Sequence, residues 1–425
     1  MGINYAPEPT GIAPYTARAA EGLAARGHDI RVVTTFPHYP QWRIGPEWSG
    51  WTRHEDQRDV AIKRVRHYVP ARPQGLPRAM SEISFGARGV ASRWHRPDVV
   101  VCISPALLAS AAYTMRARAT GVPVGVVVQD IYSAGMREAA DGRMARAMAR
   151  IEGRTLRRAT GVAVIHQRFG AWLENNLELD PSRVTVLRNW THLDTAPVEV
   201  DRAAVRRRLG WREDETVVLH TGAMGEKQGL ENVVEAARCA EYLKLPVRFV
   251  LMGDGGQRAR LTELADGVST LQFLDPVSNE DYPEVLRSAD VLLVNEKPGV
   301  AEMAVPSKLT SYFSTGLPVV AATESTSTTA DEVRAAGAGI VVEPGRPEDL
   351  LGALDRLGRD PGLRTMLGAA GPVYCSEVLS EKAALDGYER WLYRLAGQQA
   401  PEAVAPVAPR HQAPLLWTPE LDRSA

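Results

Sequence analysis

The chain has 425 residues, 44% of them apolar and 24% charged, with a formal net charge of −1. That length suggests two or three domains with cores of their own, and the charge balance excludes a protein that grips nucleic acid through bulk electrostatics. Cys102, Cys239 and Cys375 lie far apart without CxxC spacing, which excludes a disulfide framework and a cysteine zinc site and makes the cytoplasm the expected compartment.

No apolar run approaches the ~18 residues of a membrane span, and the opening does not read as a signal peptide. Residues 14–26 have a helical pattern and Ile30–Thr35 a strand pattern after the Gly27 turn, which together make the second half of a β–loop–α–β unit. Only Met1, Gly2 and Ile3 precede Asn4, so part of that unit's first strand is expected to be missing. Val60–Tyr68 reads as a more exposed strand, Arg78–Trp94 as helix and Val99–Ile103 as a buried strand. Leu107–Thr120 is helical, and the β-branched run Val122–Val128 has the character of a buried parallel strand. A basic helix (Gly142–Ala159), a strand (Gly161–Ile165), a short helix (Gln167–Asn176) and a strand (Val184–Leu187) complete a doubly wound domain over residues 1–190. Asn189–Asp201 reads as a linker.

A second α/β domain spans residues 191–378. Its strands are Thr216–Thr221, Val247–Met252, Thr270–Leu274, Val291–Asn295, Leu317–Ala322 and Gly339–Val342, with helices Glu231–Glu241, Gln257–Ala265, Asn279–Arg287 and Pro347–Arg356 between and after them. The loop Val300–Pro306 delivers Ser307 and Lys308 to a helix running to about Thr315. The amphipathic helix at 379–397 is expected to pack back on the first domain, and the Ala/Pro-rich residues 398–425 to be disordered. The expected fold class is α/β, two tandem doubly wound Rossmann-like domains facing across a cleft, where ligands of such sheets bind.

Several strand ends carry chemistry. HTGAMGEKQG (220–229) puts Gly222 and Gly225 in a tight turn and Lys227 within reach of an anion, although its spacing fits neither GxGxxG nor a P-loop. MGDGG (252–256) supplies Gly253 and Gly255 for another close backbone approach, and ordinary turn chemistry fits it equally well. Ser307 and Lys308 open a helix, where a hydroxyl, free amides and an ammonium suit a phosphate. Gly11 leaves room for a phosphate or sugar between the opening stub and the first helix. FPHYPQW (36–42) forms a polar–aromatic wall with His38, and Asp130 in QDIY ends a strand where a carboxylate can orient an acceptor hydroxyl. The arginines of 142–158 suit either a solvated face or a membrane surface.

Taken together, NYAPEPTGIAPYT, GHDIRVVTTFPHYPQW, NW at 189–190, GAMGEKQGLENVVEAA, MGDGG and AEMAVPSKLTSYFSTGLPVV resemble a retaining family-4 glycosyltransferase of the GT-B fold. The nearest likeness is to the branch of colanic-acid-type fucosyltransferases and deoxy-aminosugar transferases, and it covers residues 3–397. The resemblance implies a nucleotide-sugar donor in the C-terminal domain and a saccharide, lipid-linked saccharide or small-molecule acceptor in the N-terminal one. Lys227 would pair with the donor diphosphate, with Gly222 and Gly225 beside it and Gly11 closing over it. Ser307, Lys308 and Leu309 would offer helix N-terminal amides, and no metal cofactor is expected. Glu302 would hold the donor sugar, and His38 and Asp130 would serve the acceptor. The chain departs from the family at two points: Ser311 stands where a ribose-binding Glu is common, and Ala223 or Met224 where an Arg partners the Lys. Two other readings compete, a GT-B sugar-nucleotide epimerase and a non-catalytic nucleotide-sugar-binding scaffold. The expected location is cytoplasmic, with peripheral contact at the inner face of the membrane through helix 142–158.

Overall fold

A computed structural model describes residues 1–8, 12–72, 75–133, 142–190, 200–278, 280–299 and 307–401. Most of the expected linker and of the Ala/Pro-rich tail lies outside these. The chain divides into two compact units, Met1–Asn189 with the C-terminal helix from Lys382, and Trp190–Glu381.

In the first unit, helix α1 (Ala13–Ala25) leads to β1 (Ile30–Thr35), which pairs in parallel with β3 (Val60–Val65). A further strand not expected from the sequence, β2 (Thr52–Gln57), runs antiparallel to β3. Five of its six residues are exposed and it carries no apolar alternation, so nothing in its pattern sets it apart from a loop. Helix α2 (Gly75–Val90) leads to β4 (Val100–Ser104). Then come α3 (Leu107–Ala119), β5 (Val124–Val128), α4 (Gly142–Arg158), β6 (Gly161–Val164), α5 (Gln167–Leu177) and β7 (Val184–Val186). Strands β4 to β7 form a parallel sheet in that order. Met1–Ile3 run between the two sheets: Gly2 N donates to Val33 O (3.2 Å) and Ile103 N to Met1 O (2.9 Å).

The C-terminal helix (Glu381–Leu395) packs on this unit. Gly125 and Gly161 lie under Trp391 and Leu395, and a β-carbon at Gly161 would come within 2.7 Å of Leu395. At its outer edge Arg26 pairs with Asp386 (2.7 Å) and Glu389 (2.8 Å), and His28 with Glu389 (2.9 Å). These ion pairs are part-exposed and contribute modestly, so the buried indole is the main anchor.

The second unit opens with α6 (Arg202–Leu209) and β8 (Thr216–Thr221). It continues with α7 (Glu231–Tyr242), β9 (Val247–Met252), α8 (Arg258–Leu264), β10 (Leu271–Leu274), α9 (Tyr282–Ser288), β11 (Val291–Asn295), α10 (Ser307–Phe313) and β12 (Val319–Ala322). It ends with α11 (Thr328–Ala336), β13 (Gly339–Val342), α12 (Pro347–Arg359) and α13 (Pro361–Glu377). Neither α11 nor α13 is marked as a helix by its sequence pattern. The first starts on a polar TST run capped by Ser327, and the second contains Gly362, Gly368, Gly371 and Pro372, residues that speak against helix. All six strands are parallel, in the order β10-β9-β8-β11-β12-β13. This is the doubly wound 3-2-1-4-5-6 order of dinucleotide-binding folds.

Trp391 is 1% exposed. Trp391→Ala should therefore cost about 3–5 kcal/mol, the usual range for emptying an aromatic site. Urea denaturation of both forms measures the difference.

Candidate functional site

Strand order in the second unit reverses direction between β8 and β11, so the loops leaving those two strands diverge and open a crevice at their carboxyl ends. The loop after β8 holds Gly222, Gly225 and Lys227. Gly222 has φ +104°, a conformation that favours glycine. The loop is tied to its neighbours from three sides. Gly222 N donates to Met252 O and Met224 N to Asp254 O, each at 2.9 Å, which pairs it with the loop after β9. Asn295, buried at the end of β11, donates to Gln228 O (2.8 Å) and Gly229 O (2.9 Å) and accepts from Asn232 Nδ2 (2.8 Å). Lys297 N donates to Lys227 O at 2.8 Å. The Lys227 side chain itself is exposed, without a hydrogen-bond or ion-pair partner among the described residues.

Lys308, the second residue of α10, comes to the same place. Its Nζ lies 4.0 Å from where a β-carbon on Gly222 would stand, and 3.4 Å from His220 Nε2. His220 is fully buried, and burial together with the Lys308 charge holds its pKa well below the ordinary value. The neutral ring donates from Nδ1 to Leu293 O (3.1 Å), which leaves the Nε2 lone pair for the ammonium. Tyr312 accepts from Thr221 N (2.9 Å), and Thr221 Oγ1 meets Tyr282 OH at 2.9 Å. Leu309 and Tyr312 are core residues, so α10 is fixed to the sheet while its first turn stays at the crevice.

Gly253 and Gly255 serve the pairing of the two loops. A β-carbon at Gly253 would overlap the Gly222 carbonyl, and one at Gly255 would lie 2.6 Å from Met224 O. Ser307 opens α10, but its side chain, like Gly11 and Glu302, falls outside the described residues. The structure thus brings Gly222, Gly225, Lys227 and Lys308 to one switch point. His220, Asn295 and Glu296 were not singled out in the sequence. Glu296 is buried and accepts from Thr329 Oγ1 at 2.5 Å and from Thr323 Oγ1. A polar residue ending an otherwise apolar strand, as in VLLVNE, was the available signal.

In the first unit His38 is 3% exposed. Its Nδ1 lies 3.1 Å from Phe36 O and 3.3 Å from Glu8 Oε1, and burial lowers its pKa against the raising effect of Glu8, so the ring is neutral with Nδ1 protonated. Glu8, another residue not singled out, is the organiser of this corner. It accepts from His38 N and Tyr39 N, both at 2.9 Å, and from Asn4 Nδ2 at 2.8 Å. Glu8, His38, Tyr39, Gln41, Arg43 and Glu47 line a cavity of about 500 Å³. His67 packs against His38 with ring centroids 4.7 Å apart, and both of its nitrogens lack a partner. Asp130 follows β5 and is exposed. The segment after it is tied by buried Glu152 of α4, which accepts from Tyr132 N (2.9 Å) and Ser133 N (3.0 Å), its pKa raised by burial. Among the described residues no cluster of side chains fits a metal ion, and no helix is long and apolar enough to cross a membrane.

Two outcomes follow. Gly253→Ala should destabilise the second unit by about 2 kcal/mol or more, since either the Gly222 carbonyl or the β9 loop must move, and urea unfolding measures it. Burial depresses His67 from 6.5 to about 3. Its unfolded form takes up a proton below about pH 6.5 and the folded form does not, so this stability is complete above that pH and is lost as pH falls, by up to about 1.4 kcal/mol per unit. His67→Phe should make melting temperature less sensitive to pH between neutrality and pH 5 than in the wild type; unchanged sensitivity would contradict the neutral-histidine assignment.

Comparison with known proteins agrees with this architecture. Residues 10–190 match the family described as Glycosyl transferase 4-like domain, and residues 201–373 the family Glycosyl transferases group 1. A colanic acid biosynthesis glycosyl transferase by name, WcaI of Escherichia coli (strain K12), is 32% identical over 332 residues, covering 74% of this chain and 80% of that protein. A D-inositol 3-phosphate glycosyltransferase of Geodermatophilus obscurus is 33% identical over 190 residues, 41% of this chain and 40% of its own length. Among solved structures, Anabaena Alr3699/HepE in complex with UDP aligns with a TM-score of 0.68 at 16% identity, over 92% of this chain and 99% of that one. WaaG, a glycosyltransferase involved in lipopolysaccharide biosynthesis, aligns with a TM-score of 0.60 at 19% identity, over 90% and 97%. The chain belongs to the family-4 glycosyltransferases of the GT-B fold.

Proposed function

We propose that this glycosyltransferase of glycoconjugate biosynthesis takes its sugar from a nucleoside-diphosphate donor and transfers it to an acceptor hydroxyl with retention of configuration. The observation that carries the reading is the gathering of Gly222, Lys227 and Lys308 at the β8/β11 switch point. Such a place offers a diphosphate two ammonium groups and backbone amides. Lys308 gains from its neutral neighbour, since His220 adds a lone pair and no charge. Structural relatives bound to UDP and to UDP-glucose support a nucleotide-sugar donor.

In this reading Lys227 and Lys308 neutralise the departing diphosphate, with amides at Gly222, Gly225, Ser307 and Leu309 completing its cradle. Gly253 and Gly255 support the cradle from behind. Glu302 contacts the donor sugar. The anomeric carbon gains oxocarbenium character as the diphosphate leaves, and the acceptor hydroxyl attacks from the same face, its proton passing to a phosphate oxygen. Asp130 and His38 serve the acceptor side, where the cavity beside Glu8 is large enough for a sugar ring. No metal takes part, because lysines and amides carry the charge, so transfer should survive a chelator. The acceptor is a saccharide or a lipid-linked saccharide.

The test is a thermal-shift series with UDP-, GDP- and TDP-sugars. One of them should raise the melting temperature, by the equivalent of about 2.7 kcal/mol at a hundred times its Kd. Lys227→Ala should abolish that shift and lower turnover at least about a hundredfold, the scale on which removing one stabilising group acts. A protein that no nucleotide sugar stabilises, or a Lys227→Ala variant with undiminished turnover, would rule the donor site out.

A further inference from the structure

A buried carboxylate is costly unless hydrogen bonds satisfy it, and Glu8 is only 4% exposed. Its Oε1 accepts from the backbone amides of His38 and Tyr39, and its Oε2 from Asn4 Nδ2. Arg64, 1% exposed, ties the same two segments again by donating to Ala6 O (2.6 Å) and Thr35 O (3.4 Å). These bonds all act on chain at the carboxyl end of β1 and add nothing to the sheet ladder. The buried charge serves the loop that carries His38.

The same carboxylate decides which nitrogen of His38 holds the proton. The neutral ring has one N–H. Nδ1 faces Phe36 O at 3.1 Å and Glu8 Oε1 at 3.3 Å, so the proton belongs there. Thr35 Oγ1 is also 3.3 Å from Nδ1, with its own proton directed to Ile3 O at 2.7 Å. Nε2, on the far edge of the ring, keeps its lone pair and has no partner among the described residues. Neighbouring rings fix the imidazole plane without using that lone pair. His67 and Trp42 stand edge-on to it, with centroids 4.7 and 5.6 Å away, and the Arg78 guanidinium lies over the Trp42 ring at 4.9 Å. Both nitrogens of His67 lack a partner, so His67 offers His38 no hydrogen bond. His38 is thus an oriented hydrogen-bond acceptor, 3% exposed, to which nothing described in the protein donates.

This ring lines the pocket of about 500 Å³ beside Glu8, and the rest of the lining suits a sugar. Pro7 and Pro37 are stiff apolar walls, and the half-buried Tyr39 brings an aromatic ring. Gln41, Arg43 and Glu47 are exposed, and their side chains have no hydrogen-bond or ion-pair partner among the described residues. The lining has no excess of positive charge, since Glu8 and Glu47 stand against Arg43, which disfavours a phosphorylated ligand. Mixed donors and acceptors between apolar walls match a neutral pyranose, whose hydroxyls each donate and accept and whose C–H faces are apolar.

We propose that Glu8 is the positioning residue of the acceptor pocket: by holding the His38 loop and the Nδ1 proton, it keeps Nε2 open to accept from a hydroxyl of a neutral pyranose in the acceptor. The proposal rests on the acceptor-side reading of His38 above, and adds the class of sugar and the residue that controls the contact. Both Glu8 oxygens are already engaged, so Glu8 acts through His38. Burial makes the imidazole a weak base, and this hydrogen bond holds the sugar without removing its proton.

The experiment is saturation-transfer NMR on the full-length protein with the methyl glycosides of glucose, galactose, mannose and N-acetylglucosamine, and with glucose 6-phosphate as a charged probe. Nitrogen spectra of protein carrying isotope-labelled histidine report the His38 tautomer. At least one methyl glycoside should bind, and more tightly than glucose 6-phosphate. His38→Phe keeps a ring without the lone pair and should weaken that binding about tenfold, on the scale of one hydrogen bond left unmade. In His38→Gln the side-chain carbonyl reaches the place of Nε2, which should hold binding within about threefold of wild type. Glu8→Gln should weaken binding about tenfold and move the His38 proton from Nδ1 toward Nε2, a spectral change that a merely structural role would not cause. The nucleotide-sugar thermal shift should persist in all three variants, so loss of the donor site and failure of this proposal are separate results. Four outcomes would overturn it: no methyl glycoside bound, or glucose 6-phosphate preferred to all of them; undiminished binding by His38→Phe; His38→Gln no better than His38→Phe; or a His38 proton that sits on Nε2 in the wild type or stays on Nδ1 in Glu8→Gln. Should Glu8→Gln not fold, the two His38 variants and the wild-type spectrum decide.

Discussion

Two loops of the second unit meet backbone to backbone, with the Gly222 carbonyl lying where any residue but glycine at 253 would place its β-carbon. Much of the site depends on that contact. It sets how the chain leaves β8, and so where Gly225 and Lys227 stand. It leaves no side chain between the loops to fill the crevice. Asn295 then supplies from β11 the polar link that the missing side chains cannot, with its amide on two carbonyls of the same loop. Packing forces the loops together, and one buried amide determines their register.

Neutral histidines give both units a common electrostatic character. His220 beside Lys308, and His38 and His67 near Arg78, are held uncharged chiefly by burial. An uncharged imidazole next to a cation can accept a hydrogen bond without cancelling the charge, and so leaves the cation's field available to an anionic ligand. A carboxylate in the place of His220 would pair Lys308 internally and spend that field within the protein.

The doubly wound architecture was legible because buried parallel strands are written as apolar runs. Strands such as TVVLHT (216–221) in the second half and Val122–Val128 in the first declare themselves without help from context. Strand β2 was not legible, since an edge strand that is polar on both faces leaves no periodic trace. Helix α13 was hidden for the opposite reason: its glycines lie against the backbone at Phe313 and Gly316, so tertiary packing overrides their poor helix propensity. At the site, Gly222 and Lys308 could be read from motif and position. His220, Glu8 and His67 could not, because what marks them is which carbonyl, carboxylate or ring each one faces, and that is decided by residues tens of positions away.

The C-terminal helix belongs to the first unit although the whole second unit lies between them in the chain. Synthesis runs from the N-terminus, so strands β5 and β6 leave the ribosome long before Trp391 and Leu395, which cover Gly125 and Gly161. The unit made first is therefore completed last. Until then its sheet carries an uncovered apolar face, and the second unit, contiguous in sequence, folds while the first is still waiting for its lid. A nascent chain of this protein therefore carries that apolar face through the synthesis of the whole second unit, until residues 391–395 have emerged.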